Sequence, residues 1–258
     1  VAGKKNMIIA ILQARLSSTR LPGKVLKPIM NKPMLAYQIE RIKKSRLIDK
    51  VILATSTSAE DMALVELAQD LGIEAYRGNL ENVLDRFYQA GKQYQPDHIV
   101  RLTGDCPLLD PGLVDDLIQF HLDGHYDYSS NCQQPTFPDG LDAEIMRWQV
   151  LEEAFQEAKL PSEKEHVTPF IHRRPERYQL GHFKNAEDHS GLRWTVDEAK
   201  DFELIENIYQ YLYPQNPHFC WRDVLGYVQA HPELKNYNTG YERNEGMKKS
   251  LLQDKTLG

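Results

Sequence analysis

The chain has little that would tie it together covalently or sink it into a bilayer. Its 258 residues include only three cysteines, Cys106, Cys132 and Cys220, far apart and without a CxxC spacing, which offers neither a disulfide framework nor a cysteine-based zinc cluster. The longest purely apolar run, Met7 to Leu12, is six residues, whereas a membrane span needs about 20 and a secretory leader a longer apolar stretch. A cytoplasmic protein without membrane contact is expected. No acidic residue precedes Glu40, yet Lys4, Lys5, Arg15, Arg20, Lys24, Lys27 and Lys32 place seven positive charges there, in a chain of net charge -6. Such a segment focuses potential locally and suits a small polyanion, whereas a long nucleic acid calls for a basic face overall. Neither GxxxxGK[ST] nor a GxGxxG after the first strand is present, which excludes a P-loop and the dinucleotide fingerprint.

What is there is an alternation of short β-branched runs with helical periodicity, the pattern of a parallel sheet flanked by helices. Met7 to Gln13 predicts a first strand buried on both faces. Helix one is expected from Met34 to Lys44, with Leu35, Ile39 and Ile42 on one stripe. Strands at Val51–Thr55, Ile73–Tyr76 and His98–Leu102 follow. Ser58 with Asp61 predicts one helix start and Asp110-Pro111 another. From Tyr126 the rhythm changes, with strands expected at Tyr126–Asn131, Asp142–Met146, Tyr178–Phe183 and Leu192–Val196 and a helix from about Ala199. The polar stretch after Gln215 reads as one short helix plus a tail. The expected division is a nucleotidyltransferase domain over 1–215, its nucleotide-binding half about 7–125 and its acceptor and dimerisation half about 126–215, followed by a C-terminal helix and tail over 216–258.

The most informative stretch is QARLSSTRLPGKVL, residues 13 to 26. Three long cations, Arg15, Arg20 and Lys24, leave a buried strand in a loop, and ligands of open α/β sheets bind at such strand ends. Ser17, Ser18 and Thr19 let backbone N–H groups approach an anion, arginines fork onto phosphate oxygens, and a lysine adds a point charge. The loop reads as a polyphosphate cradle. Asp105, in TGDCPL, and Asp197, in TVDE, each follow a predicted strand. Hard oxygen ligands at strand ends suit Mg²⁺; alone, Asp105 could equally be an Asx-turn residue before Pro107, and Asp197 an N-cap.

The loop strongly resembles the signature of the CMP-sugar synthetases, the cytidylyltransferases for acylneuraminate and Kdo. GNLENVLDRFYQA, VRLTGDCPLLDP, FPDGLDAEI, EKEHVTPFI, LRWTVDEAKDF and RNEG resemble the branch named for spore coat polysaccharide biosynthesis. The likeness covers nearly the whole chain, with one departure: Ser17 stands where many relatives have glycine. It implies a three-layer α/β/α fold with a mostly parallel Rossmann-like sheet of the nucleotide-diphospho-sugar transferase (GT-A-like) type. It also implies CTP as substrate, Mg²⁺ on Asp105 and Asp197, and a homodimer.

The candidate nucleotide-binding set is Leu12, Ala14, Arg15, Ser17, Ser18, Thr19, Arg20, Lys24, Asn82, Thr103 and Gly104, with Arg15, Lys24 and Asp105 in catalytic roles. Acceptor candidates are Asp139, Asp142 and Glu144 in the PDGLDAE turn, Glu165 and His166, and Arg193, for which a structural ion pair competes. The expected reaction is attack of a hydroxyl of a small acceptor on the α-phosphorus of CTP, with pyrophosphate leaving. Cytidylyl transfer to a phosphonate, a GT-A-like glycosyl transfer and a non-catalytic nucleotide-sensing subunit remain as alternatives.

Overall fold

The computed structural model describes residues 6–255 except 236, 242 and 244; Lys4, Lys5 and Asn244, and the last three residues of the expected tail, lie outside the described residues. Strand β1 (Ile8–Gln13) is an interior strand, third across a seven-stranded sheet. After it come a small antiparallel hairpin, β2 (Pro28–Ile29) with β3 (Lys32–Pro33), and helix α1 (Met34–Ile42). β4 (Lys50–Ser56) then pairs in parallel with one side of β1, α2 (Met62–Asp70) crosses back, and β5 (Glu74–Gly78) extends that side. Helix α3 (Val83–Lys92) returns the chain to β6 (His98–Thr103), which pairs in parallel with the other side of β1. The strand order reverses at β1, so the carboxyl ends of β1 and β6 flank the crevice where such sheets place ligands.

Beyond β6 the sheet is mixed. Following α4 (Pro111–Asp123), β7 (Tyr128–Ser130) and β8 (Glu144–Arg147) pair antiparallel, β8 runs antiparallel to β6, and β9 (Leu180–His182) closes the edge parallel to β7. Helices α5 (Trp148–Glu157), α6 (Pro161–His166) and α7 (Pro169–His172) precede β9, and α8 (Ala199–Leu212) follows it.

Alternation along β1 builds three layers. Ala10 and Leu12 join a core with Leu35 and Ile39 of α1, Leu117 of α4 and Ile205 of α8. Ile9 and Ile11 face the opposite core, with Phe87 of α3, Leu151 of α5 and Phe170 of α7. A strand sandwiched in this way must be apolar on both faces, as the Met7–Leu12 run is. The Asp110 cap is formed, its Oδ1 accepting from the Leu113 N–H at 3.0 Å.

Three expectations need correction. Ser58 does not cap with its side chain; Asp61, fully buried, instead accepts from Ser56 at the end of β4 and from the Leu16 N–H at 2.8 Å. Residues 192–196 form no strand, only an isolated bridge between Asp139 and Arg193. Trp194 and Val196 are buried, but their N–H groups are satisfied by the loop carbonyls of Asp139 and Asp105 rather than by a ladder. The stretch after Gln215 holds more than one short helix: α9 (Trp221–Ala230), α10 (Pro232–Lys235) and α11 (Glu245–Asp254). Trp221, Val224 and Val228, an apolar stripe in a polar segment, are buried.

Candidate active site

The loop leaving β1 is held in a folded-back shape before any ligand is considered. The Leu16 carbonyl accepts from the N–H groups of Ser18 (2.8 Å) and Gly23 (3.0 Å), while the Leu16 N–H is tied to Asp61. Leu12 and Ala14 are buried at its base, and Ser17 has a hydroxyl oxygen shielded from water with no hydrogen-bond partner among the described residues. Arg15 and Thr19 are exposed. Next to this loop, Gly104 N–H donates to the Gln13 carbonyl at 2.8 Å. A Cβ at Gly104 would stand 2.9 Å from that of Ala14, so only glycine lets the ends of β1 and β6 come this close. Thr103, the last residue of β6, accepts from the Gln38 amide through its carbonyl at 2.7 Å.

Lys24 begins a single 3-10 turn and is buried; its Nζ lies 2.6 Å from the Val196 carbonyl, 2.9 Å from Asp197 Oδ1 and 3.7 Å from Asp105 Oδ2. Arg20 reaches the same place, 3.0 Å from Asp197 and 3.5 Å from Glu198. Asp105 and Asp197 are brought together by the backbone, since the Val196 N–H donates to the Asp105 carbonyl at 2.8 Å. Burial alone would raise the Asp197 carboxyl, but Lys24, Arg20 and Arg193 together hold it below its ordinary value.

At neither aspartate is the local alternative that the sequence left open formed among the described residues. The N-cap of α8 is Glu198, and Asp201, fully buried, accepts from the N–H groups of Asp197 and Glu198, both at 2.9 Å. Capping is thus done by Asp201, which leaves the Asp197 carboxylate facing the cations. Among the described residues no backbone N–H donates to the Asp105 carboxylate, whose neighbours there are Lys24 and the Cys106 thiol at 3.5 Å. Two carboxylates from different segments therefore face one positive group. That geometry fits a divalent cation taking one or two carboxylates and completing its shell with phosphate and water. No cluster of three or more His, Cys, Asp or Glu able to hold a metal occurs among the described residues.

The other candidates fall into separate groups. Arg193 is spent on aspartates: Asp201 through Nε (3.0 Å) and Nη2 (2.9 Å), Asp139 (3.3 Å) and Asp197 (3.3 Å). The Pro138–Gly140 turn presses on this segment; Gly140 has φ +106°, and a Cβ there would meet the Thr195 nitrogen at 2.4 Å. Asp139 and Asp142 share Arg243, a residue that sequence reasoning gave no role. Burial raises both carboxyls against the pull of Arg243, Asp142 to about 7. Glu144 is buried elsewhere, paired with Arg101 and accepting from Tyr128 and Thr168. Burial works to raise that carboxyl, yet these partners hold it down. Glu165 and His166 meet Ser250 of α11, at 2.5 and 2.9 Å, and Asn82 caps α3 through the Asp85 N–H at 3.1 Å. Asp201, Asn238 and Arg243 were missed. Asp201 left a local signal, as the acidic residue three after Glu198 in a capping-box spacing, and Arg243 stood in the RNEG run that carries part of the family likeness; Asn238 joins Asp201 at 2.7 Å from a segment far along the chain.

A cation-rich strand-end loop facing two aspartates narrows the chemistry to phosphoryl groups, and comparison with known proteins names the family. A family model described as cytidylyltransferase matches residues 9–217. The chain belongs to the cytidylyltransferase family. It is accordingly a CTP-dependent nucleotidyltransferase. It is 37% identical over 234 residues to the uncharacterized protein MJ1063 of Methanocaldococcus jannaschii, covering 90% of this chain and 94% of that one. It is 36% identical over 217 residues to the spore coat polysaccharide biosynthesis protein SpsF of Bacillus subtilis, covering 80% and 87%. Among solved structures, a cytidylyltransferase from Leptospira borgpetersenii superposes with a TM-score of 0.84 at 31% identity, over 92% of this chain and 99% of that one. No helix among the described residues is long and apolar enough to cross a membrane.

Proposed function

We propose that this cytidylyltransferase moves CMP from CTP to a hydroxyl of a small sugar-like acceptor used in surface polysaccharide synthesis, releasing pyrophosphate. The observation that carries the proposal is the meeting of Lys24 and Arg20 with Asp105 and Asp197 at the carboxyl ends of β1 and β6. Polysaccharide synthesis enters from the likeness to the spore coat polysaccharide biosynthesis protein SpsF of Bacillus subtilis. A cytoplasmic setting and a homodimer belong to the same proposal.

Nucleotidyl transfer needs little covalent help, so positioning and charge neutralisation carry the rate. Arg15, exposed at the mouth of the loop, with Arg20 and Lys24, would hold the β- and γ-phosphates that depart as pyrophosphate. The amides and hydroxyls of Ser17, Ser18 and Thr19 would line their path, and Leu12, Ala14, Thr103 and Gly104 shape the floor. Asp105 and Asp197 would hold Mg²⁺, which when bound neutralises phosphate charge and polarises the attacking oxygen. Lys24, now between the two carboxylates, would swing its ammonium onto phosphate oxygens. Asp139 and Asp142 stand beside this point as acceptor-side groups. Arg193 would act from behind, fixing Asp197 and Asp139 in place. Glu144, Glu165 and His166, engaged in their own networks, would support the acceptor half from a distance, and Asn82 would position the start of α3.

The test is pyrophosphate release from each of the four nucleoside triphosphates with Mg²⁺, against a panel of 2-keto sugar acids, amino sugars and phosphonates. Release with CTP and a sugar-type acceptor supports the proposal. CTP binding with no release over the whole panel would contradict it.

A further inference from the structure

Arg193 and Lys24 both neutralise Asp197, but they are anchored differently. Arg193 is locked: all three of its nitrogens hydrogen-bond to aspartates, the fully buried Asp201 among them. Lys24 Nζ donates to one carboxylate oxygen, Asp197 Oδ1 at 2.9 Å, and to one carbonyl, that of Val196, at 2.6 Å. Its approach to Asp105 Oδ2, 3.7 Å, is an ion pair too long for a hydrogen bond. An ammonium on a flexible four-carbon stem is a mobile point charge, whereas a forked guanidinium is fixed by its partners. Lys24 is therefore far better able to leave than Arg193.

Where the ammonium stands sets what else the two carboxylates can hold. Three of their four oxygens already face a positive group: Asp197 Oδ1 meets Lys24 and Arg20, Asp197 Oδ2 meets Arg193 at 3.3 Å, and Asp105 Oδ2 meets Lys24. The fourth, Asp105 Oδ1, accepts from the Cys106 thiol at 3.5 Å. A divalent cation held by both side chains has to share these oxygens with the ammonium, and like charges so close repel strongly in a partly buried site. The carboxylates are more open to solvent than the lysine, 31% and 21% against 10%, so a cation can reach them once the ammonium is drawn off.

We propose that Lys24 is a resident counter-ion, which keeps the Asp105–Asp197 pair neutral in the free protein and yields it to a divalent cation when triphosphate oxygens draw the ammonium away. This rests on the transfer reaction proposed above. Nucleotide and divalent cation then bind with positive coupling, each raising the affinity for the other by the same factor. The two carboxylates are not a preformed cage for the metal alone; they become one with the triphosphate in place.

Lys24→Met keeps the length of the side chain and removes its charge. Mn²⁺ is the probe, added to nucleotide-free protein, with the unbound ion counted by electron paramagnetic resonance. The expected result is a Kd for Mn²⁺ lowered about tenfold or more in Lys24→Met, a coupling of ordinary size between two sites. A lysine that merely supported the fold would not tighten metal binding when removed. Arg20→Gln, on a side chain 33% exposed, should lower the Kd by less, and its Kd decides the matter if Lys24→Met does not fold. Adding Asp105→Asn to Lys24→Met should restore weak binding. A Kd that is unchanged or raised would overturn the inference, and so would tight binding that survives Asp105→Asn, since the ion would then sit elsewhere. Calorimetry supplies the other half: Mg²⁺ should tighten CTP binding by a larger factor in the wild type than in Lys24→Met, and an equal factor in both would overturn the coupling. Tighter Mn²⁺ binding in Lys24→Met, with no pyrophosphate from the wild type over the whole acceptor panel, would overturn the transfer reaction and leave the counter-ion role standing.

Discussion

The proposed phosphate side and the proposed acceptor side are built by opposite means. On the phosphate side, Arg15, Arg20 and Lys24 come from one loop ten residues long at the switch point of a parallel sheet. On the acceptor side, Asp139, Asp142, Arg193, Asp201, Asn238 and Arg243 come from four segments joined by ion pairs. The charges differ accordingly. Asp197, ringed by three cations, has its carboxyl held down, whereas Asp142, buried among other carboxylates with one arginine, has its carboxyl pushed up to about 7.

Substitutions on each side should therefore differ in kind, and the largest effect belongs to the phosphate side. Asp105→Asn would weaken the proposed cation site itself and should lower kcat/KM for CTP by well over about 100-fold, since it removes the charge of one of the two carboxylates proposed to hold the cation. Steady-state pyrophosphate release measures it, and a loss smaller than that of Lys24→Ala would break the ranking. Lys24→Ala should cost about 10- to 150-fold, one charge-assisted hydrogen bond of about 1.5 to 3 kcal/mol. An unchanged kcat/KM would remove Lys24 from phosphate binding.

On the acceptor side the first effect should be on folding. Asp201→Ala strips a buried partner from Arg193 and the cap from α8, and should cost about 3 kcal/mol of stability. Equilibrium urea unfolding reads this out, and an unchanged midpoint would mean that Asp139 and Asp197 suffice for Arg193. The smallest effect concerns pH. A carboxyl raised on folding binds its proton more tightly in the folded state, so its contribution to stability falls as pH rises from about 4 to about 7 and levels off above. Asp142→Asn should consequently gain melting temperature relative to wild type between pH 5 and pH 8. A gap between the two proteins that does not widen with pH would contradict the raised carboxyl.

The same difference decides what the sequence could reveal. The parallel half was legible because β1 and β4 are apolar on both faces and the helices carry stripes, as with Leu35, Ile39 and Ile42. The loop was legible because its cations are adjacent in sequence. Residues 192–196 looked like a strand because Trp194 and Val196 are apolar, but they are buried by the PDG turn and Asp105, whose carbonyls take the place of a ladder. Arg243 stood in the RNEG run that carries part of the family likeness, but its role was not legible, because its contact with Asp142 spans 101 positions. Asp201 shows the intermediate case, a local capping pattern that also frees Asp197 for the cations.

The central claim is that Asp105 and Asp197 form a cation site served by the β1 loop. Its most direct test is magnesium titration of pyrophosphate release, comparing wild type with Asp105→Asn at saturating CTP. The account predicts that the variant's half-maximal magnesium concentration moves upward by about tenfold or more. Superimposable magnesium curves that differ only in height would contradict it.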